Sequence, residues 1–489
     1  MKMSEQENIS NSSKRLDADE TSSRISEVIF FILCATLVFS VVAFGAVDSW
    51  ALGVLSLLSG VIAVLWLADA RLNREFRFSS NPLQIPLLGL ITIGIIQLLP
   101  LRSPDVPIDL LSVPAISSLS LAPYSTRLAI VQLVVYFIFF AAALTFINNQ
   151  NRLRKIVLTI IIFSSLMAFF GILQRLVNLD AIYGLRLPGQ AVPFASFINQ
   201  HHFAAFMEMT LGATLGLLFG RATENNKRIF LAFAVVVMGI AIIFTNSRGG
   251  MLSLMGVIGF IVTANILQKP VTEMDSPDGT GRNFRRIFAF IGSGLVLILI
   301  LFGSVLLLGG DESLLRGIGL QNPDDITNGR SHFWRIAWRV FLDHPFLGTG
   351  LDSFAFAFTN YDTWNGLYRV EQAHNDYLQI LADAGIAGFI CAAAFIFLLF
   401  KRGLQVIRQS SDPFRRNTAV GALAGCCGIL IHSFFDFPLR TPSNALFFLT
   451  LAALATVSIN QPKTSRKRKK THIVSPQVKK DIDSQRKFW

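Results

Sequence analysis

Three short stretches carry side chains able to hold an anion and move a proton: "FTNSRGGML" with Arg248, "NGRSHFW" with Arg330 and "AHNDYLQ" with His374. A guanidinium presents a planar fork of N–H donors that matches phosphate oxygens, and it keeps its charge at any working pH. An imidazole titrates near neutrality and can take a proton from an attacking hydroxyl. Two arginines and a histidine therefore describe a phosphate site with a proton acceptor, suited to a substrate that arrives already negative. Each residue also has a plainer reading. Arg248 would serve as an anchor at a bilayer surface, Arg330 as one basic residue of an interfacial helix, and His374 as a helix-start residue bonded to backbone.

The elements that must position these residues are membrane helices. The chain of 489 residues is 52% hydrophobic and 15% charged, with a mean hydropathy of +0.53. A soluble domain carries roughly 25% charged residues, so a soluble fold could not cover this much apolar surface. Apolar runs recur along the whole chain at about the 17–25 residues that a bilayer core of ~30 Å demands. The expected fold class is all-α, a polytopic integral membrane protein of about twelve spans at 26–47, 50–68, 83–101, 127–147, 156–174, 202–220, 229–245, 250–267, 287–309, 385–400, 418–436 and 444–459. A polar tail (1–25) precedes this membrane domain (26–460), and a basic tail (461–489) follows it. The first helix is expected to be retained, because the N-terminal stretch is too polar and too long for a cleaved leader.

Orientation follows from Lys and Arg in the short loops. One set is rich, with Arg71, Arg74 and Arg77 or Arg152, Arg154 and Lys155; the alternate set holds little beyond Arg102, Arg175, Arg186, Arg248 and Arg440. The rich loops and both tails are expected in the cytoplasm, which puts Arg248, Arg330 and His374 on the exported side. The basic tail supplies much of the +12 formal charge; it reads as a solvated tail or as an attraction to anionic membrane lipids. No aromatic residues interleave it, so no nucleic-acid partner is expected. Cys34, Cys391, Cys426 and Cys427 all lie within apolar runs, as small hydrophobes do.

One large exported loop, at about 310–384, is expected to contain amphipathic helices. In "GRSHFWRIAWRVFLDHPFLGTG", Phe333, Trp334, Ala337, Trp338, Val340 and Phe341 recur at helical spacing, while Arg335 and Arg339 stand one turn apart on another face. That pattern describes a helix lying in the interface, ended by His344-Pro345 and the glycines Gly348 and Gly350. A second helix begins near Gln372, with Gly385 placed as its stop.

Other polar residues are weighed beside these. Asn199, Gln200, His201 and His202 open a span and suit capping or headgroup contact better than metal binding. Asp48 is placed to cap the second helix. His432 inside a span and Asp436 near its end are candidates for function and equally for structural pairing, Asp436 with Arg440 or His432, and neither is read as catalytic. Asp324 and Asp325 sit in a loop-like stretch, and no metal site is expected.

The order of the blocks "SRGG", "GR…W…HPFLGTG" and "HNDYLQILADAGIAG" resembles the O-antigen ligase family, which is related to the Wzy-type O-antigen polymerases. The resemblance covers about 194–400. It implies a glycosyltransferase of the bacterial inner membrane, independent of metal and cofactor, that takes a glycan from undecaprenyl pyrophosphate on the periplasmic face. Ligases pass it to the lipid A core and polymerases to another acceptor glycan. Carried over by motif, Arg248 and Arg330 match the arginines thought to hold the pyrophosphate, and His374 matches the proposed general base. Arg186, Asn375, Tyr377, Arg335 and Arg339 complete the expected substrate contacts.

Two rival classes stay open. A transporter is one, since proteins described as bicarbonate transporters carry a similar domain, but it should show paired repeats and helices broken at mid-membrane. No repeat is visible, and the polar residues gather at one face. A non-catalytic glycan-binding membrane protein is the other.

Overall fold

The computed structural model describes residues 24–102, 117–177, 181–189, 191–220, 225–267, 329–363 and 370–459. Within them the chain folds into helices, with no strand beyond two isolated bridges. In chain order these are α1 (Arg24–Val42), α2 (Ser49–Asn73), α3 (Gln84–Gln97), α4 (Pro123–Phe146), α5 (Gln150–Leu176), α6 (Gln200–Phe219), α7 (Asn225–Phe244) and α8 (Arg248–Leu267). Then follow α9 (Arg330–Asp343), α10 (Phe354–Thr359), α11 (Asp376–Gln409), α12 (Pro413–His432) and α13 (Pro442–Thr456). The expected span at 287–309 and the Asp324-Asp325 pair lie outside the described residues.

Eight of these helices are long and apolar enough to cross a membrane. Two others, α3 and α13, are apolar but have only 14 and 15 residues, about 21–23 Å at 1.5 Å per residue. Several helix starts have a local cause. Asn149 caps α5 by accepting from Arg152 N at 2.9 Å, Asn199 caps α6 by accepting from His201 N at 2.8 Å, and Asp412 caps α12 ahead of Pro413. Proline also opens α4 and α13, where its missing N–H costs nothing.

Helices α6, α12 and α13 form the centre of the bundle. Gly212 and Gly216 of α6 face Gly425 and Gly421 of α12 so closely that a Cβ on any of them would strike the other helix's backbone. Small residues of this kind let membrane helices approach where no hydrophobic effect drives them together. The close crossing fixes the end of α12, and with it the turn that carries Asp436.

Two expectations about the exported loop change. Helix α11 starts at Asp376 rather than near Gln372, and it does not stop at Gly385. That glycine takes φ 62° and ψ −161° inside a 34-residue helix, breaking it into two segments. The freed backbone groups are satisfied by the "HPFLGTG" stretch. Ile386 N donates to Pro345 O at 2.8 Å and Ala387 N to Phe346 O at 3.2 Å, while Thr349 N and Gly350 N donate to Ala382 O and Asp383 O, both at 3.0 Å. The fully buried Gln97 of α3 clamps the break, donating to Leu347 O at 2.6 Å and Asp383 O at 2.8 Å and accepting from Leu351 N at 2.9 Å. Gly348 and Gly385 are required here: both have positive φ, and an added Cβ would strike the opposing backbone.

The buried face of α9 also differs from the aromatic stripe. His332, Ile336, Ala337 and Val340 turn inward, packing with Phe354 and Phe358 of α10, whereas Trp338 is 47% exposed. Packing against α10 and α11, rather than lipid alone, decides which face is covered.

Candidate functional site

The residues that sequence reading separated meet at the turn after α12. That turn, "HSFFDFP", ends α12 at His432 and continues into a short 3-10 turn, Pro438–Arg440. Asp436 lies on it, outside the helix, with its side chain 2% exposed. One oxygen of its carboxylate accepts from His374 Nδ1 at 3.0 Å, and the other stands 3.6 Å from Arg330 Nη2. Arg330 also donates through Nη1 to the carbonyl of Phe435. Burial alone would raise the Asp436 pKa. The His374 hydrogen bond and the Arg330 charge outweigh it and hold the carboxyl well below the usual carboxylate range.

His374 is held on every side. It takes the left-handed conformation, φ 51°, immediately before the α11 cap. Its ring stacks on Phe333 (5.8 Å, 28°) and meets Phe437 edge-on (4.7 Å, 79°), while its carbonyl accepts from Trp334 Nε1 at 3.3 Å. Phe437 is braced from behind by His202 of α6 at 4.8 Å, and His202 Nδ1 is bonded to Thr441 Oγ1 at 2.7 Å. A carboxylate only accepts, so the Nδ1 facing Asp436 is the donor in this contact. The His374 side chain is 30% exposed and the Arg330 side chain 25%, whereas that of Asp436 is 2% exposed. The buried carboxylate fixes which ring nitrogen points inward and which points outward.

Arg248 joins through its neighbour. Ser247 caps α8, its Oγ accepting from Gly250 N at 3.2 Å, and Arg248 is the first residue of that helix. A Cβ on Gly249 would lie 2.9 Å from the His432 ring and 3.4 Å from Phe435. The "SRGG" block therefore rests on the same turn whose Phe435 carbonyl and Asp436 carboxylate receive Arg330. Beneath it, His432 Nδ1 pairs with the fully buried Glu208 Oε1 of α6 at 2.9 Å.

The structure distributes the other expected residues differently. Asn375 is buried and caps α11, its Oδ1 accepting from Tyr377 N and Leu378 N at 3.0 and 3.1 Å while its amide donates to Phe434 O at 3.0 Å. The Tyr377 hydroxyl donates to Leu430 O at 2.7 Å, and its ring packs on Phe434 at 4.4 Å. Both bind α11 to the turn. Arg335 and Arg339 lie on the exposed face of α9; at 100° per residue Arg339 is half a turn from Arg330, so the cluster does not gather them. Arg186 forms a two-pronged pair with Asp48 and lies over the Phe44 ring at 4.9 Å. Asp48 does stand at the start of α2 but makes no side-chain cap bond, because Arg186 has taken its carboxylate. Asp436 pairs with neither Arg440 nor His432. Arg440 is taken by Asp383 and Asp352, and His432 by Glu208. The acid in "SFFDFP" was the signal for Asp436; its pairing with His374, 62 residues earlier in the chain, had none.

A bundle whose described residues include eight helices long and apolar enough to cross a membrane, with a cluster of Arg330, Asp436 and His374 at one end, has the build of a polytopic membrane protein. Residues 233–393, about a third of the chain, match the family model described as O-antigen ligase. That stretch holds Arg248, Arg330 and His374 but not Asp436. Comparison with curated proteins returns no match. Over that third the chain is similar to the O-antigen ligase family.

Proposed function

We propose that this protein transfers a glycan from undecaprenyl pyrophosphate to a sugar hydroxyl at the periplasmic face of the bacterial inner membrane, as an O-antigen ligase or a polysaccharide polymerase. The observation that carries the reading is the shared carboxylate: Asp436 bonds His374 at 3.0 Å and faces Arg330 at 3.6 Å. His374 Nε2 takes the proton of the acceptor hydroxyl as that oxygen bonds to the anomeric carbon. The bond from that carbon to the pyrophosphate oxygen breaks, its electron pair leaves with the pyrophosphate, and Arg330 and Arg248 stabilise the growing charge. A single displacement of this kind inverts the anomeric centre. A guanidinium has five N–H donors, and the two contacts that seat Arg330 do not exhaust them.

The test is transfer from purified undecaprenyl pyrophosphate glycan by the full chain in lipid nanodiscs, with donor binding measured alongside. His374→Ala should cut turnover by about 10²–10⁴-fold and leave donor binding nearly unchanged. Near-full turnover in that variant, or a loss of donor binding as large as that of Arg248→Ala, would contradict the assignment.

A further inference from the structure

A cavity of about 1930 Å³ runs along the flank of the bundle between α1 and α5, away from the Asp436 cluster. Its α1 wall is Phe31, Cys34, Ala35, Val38 and Val42, one face of a helix by their spacing. Its α5 wall is Leu158, Ile162 and Leu166, each 50–61% exposed in the bundle. Cys34 and Ala35 are small, and this gives the groove its depth. Continuing down the α5 stripe, the next line of residues is Lys155 and then Asn151, so the apolar channel ends on a positive charge.

At that end the groove gains a third wall. The turn at Ser410 and Asp412 and the residues after α13, 457–459, close it into a cup. The charges facing the cup are Arg152, Arg154, Lys155 and Arg415 against Glu27 and Asp412. Asp412 is committed to its own helix, accepting from Phe414 N at 3.2 Å and Arg415 N at 3.3 Å, and to the Gln150 amide. Arg415 is buried and donates to the carbonyls of Leu454, Ala455 and Val457. Arg152 donates to Phe146 O at 3.1 Å. Arg154 and Lys155 remain exposed, with Arg154 resting over the Phe414 ring at 5.3 Å. The cup is therefore basic at its rim, and the apolar channel runs along about three turns of α1.

We propose that this groove seats one anionic phospholipid, its acyl chain along the α1 and α5 stripes and its phosphate between Arg154 and Lys155. A lipid-linked glycan donor would not serve, because the 20 residues of α12 put about 30 Å between the cup and the turn carrying Asp436. The proposal rests on the membrane-spanning architecture and not on the transferase reading, and its test involves no transfer.

The measurement is retention of phosphatidylglycerol by the full chain, read by native mass spectrometry after purification from nanodiscs of mixed phosphatidylglycerol and phosphatidylcholine. Wild type should retain phosphatidylglycerol selectively. Arg154→Gln with Lys155→Gln should weaken that retention by about fivefold per charge at low salt, roughly thirtyfold together. Ala35→Phe, which fills the channel and leaves the basic rim intact, should abolish retention of either lipid in the groove. Equal retention of phosphatidylcholine by wild type, or unchanged phosphatidylglycerol retention in the double variant with the same thermal midpoint, would overturn the proposal. So would a cysteine at Ile162 that cross-links to a second copy in the bilayer, since the groove would then be a protein interface.

Discussion

Arg440 and Arg330 both meet aspartates beside the turn that follows α12, but only Arg330 shares its aspartate with a histidine. Arg440 is balanced by two carboxylates. It pairs with Asp383, which is 0% exposed, and with Asp352 at 3.2 Å. Asp383 is further used by Gln379 at 3.2 Å and by the backbone N–H groups of Phe354 and Asp352 at 3.1 and 3.3 Å. This cluster has more acid than base and sits where α11 breaks, so it serves to hold the break. Around Arg330 the balance reverses: one buried carboxylate faces a guanidinium and an imidazole, both partly exposed. The residue types are nearly the same in the two places. What separates them is stoichiometry: two carboxylates meet one guanidinium at Arg440, whereas one carboxylate is shared by a guanidinium and an imidazole at Arg330.

The comparison can be broken first at the knot. Asp383→Ala removes one partner of a buried ion pair and leaves the N–H groups that it accepted unpaired, a change that costs about 3–5 kcal/mol. Its thermal midpoint in detergent should collapse, together with glycan output. A stable Asp383→Ala protein with normal output would show that the Arg440 cluster does not hold the helix break.

At the site the expectation is the opposite, a loss of activity without a loss of stability. Arg330→Lys keeps the charge but not the fork, and losing a charged hydrogen bond worth about 1.5–3 kcal/mol slows transfer roughly ten- to a hundredfold. The midpoint should stay near that of wild type. Arg335→Lys, on the exposed face of α9, serves as the comparison and should transfer almost normally. Equal output from the two variants would return Arg330 to the status of an interface anchor.

The smallest effect concerns acid. The folded pKa of Asp436 is depressed, so its contribution to stability is present above the unfolded carboxylate value of about 3.9 and is lost as pH falls through the folded value. The stability gap between wild type and Asp436→Asn should therefore narrow below about pH 4. A gap that widens on acidification would mean that the carboxyl is protonated in the folded protein.

Much of this was legible from residue type and spacing, because apolar runs of membrane length and the two arginines with a histidine state their needs locally. The pairings were not. Asp436 has His432 and Arg440 close by in sequence, and only the turn ending α12 aims it instead at His374 and Arg330. Gly385 reads from sequence as a helix stop, whereas the helix continues past it because the "HPFLGTG" backbone some forty residues earlier satisfies the groups freed there, and nothing in the composition announces that contact. Arg335 and Arg339 looked like companions of Arg330 because they share its helix. The helical period and the burial of Ile336 and Val340 carry them to the other side.

The central claim is that Asp436 acts on the reaction through His374. A double-variant cycle tests it directly, with single-turnover transfer measured for Asp436→Asn, His374→Ala and the two combined. If the carboxylate works by fixing the imidazole, the combined variant should transfer no more slowly than His374→Ala alone. Losses that multiply would show that Asp436 and His374 act independently, and the shared turn would then be a structural hinge and not the support of a base.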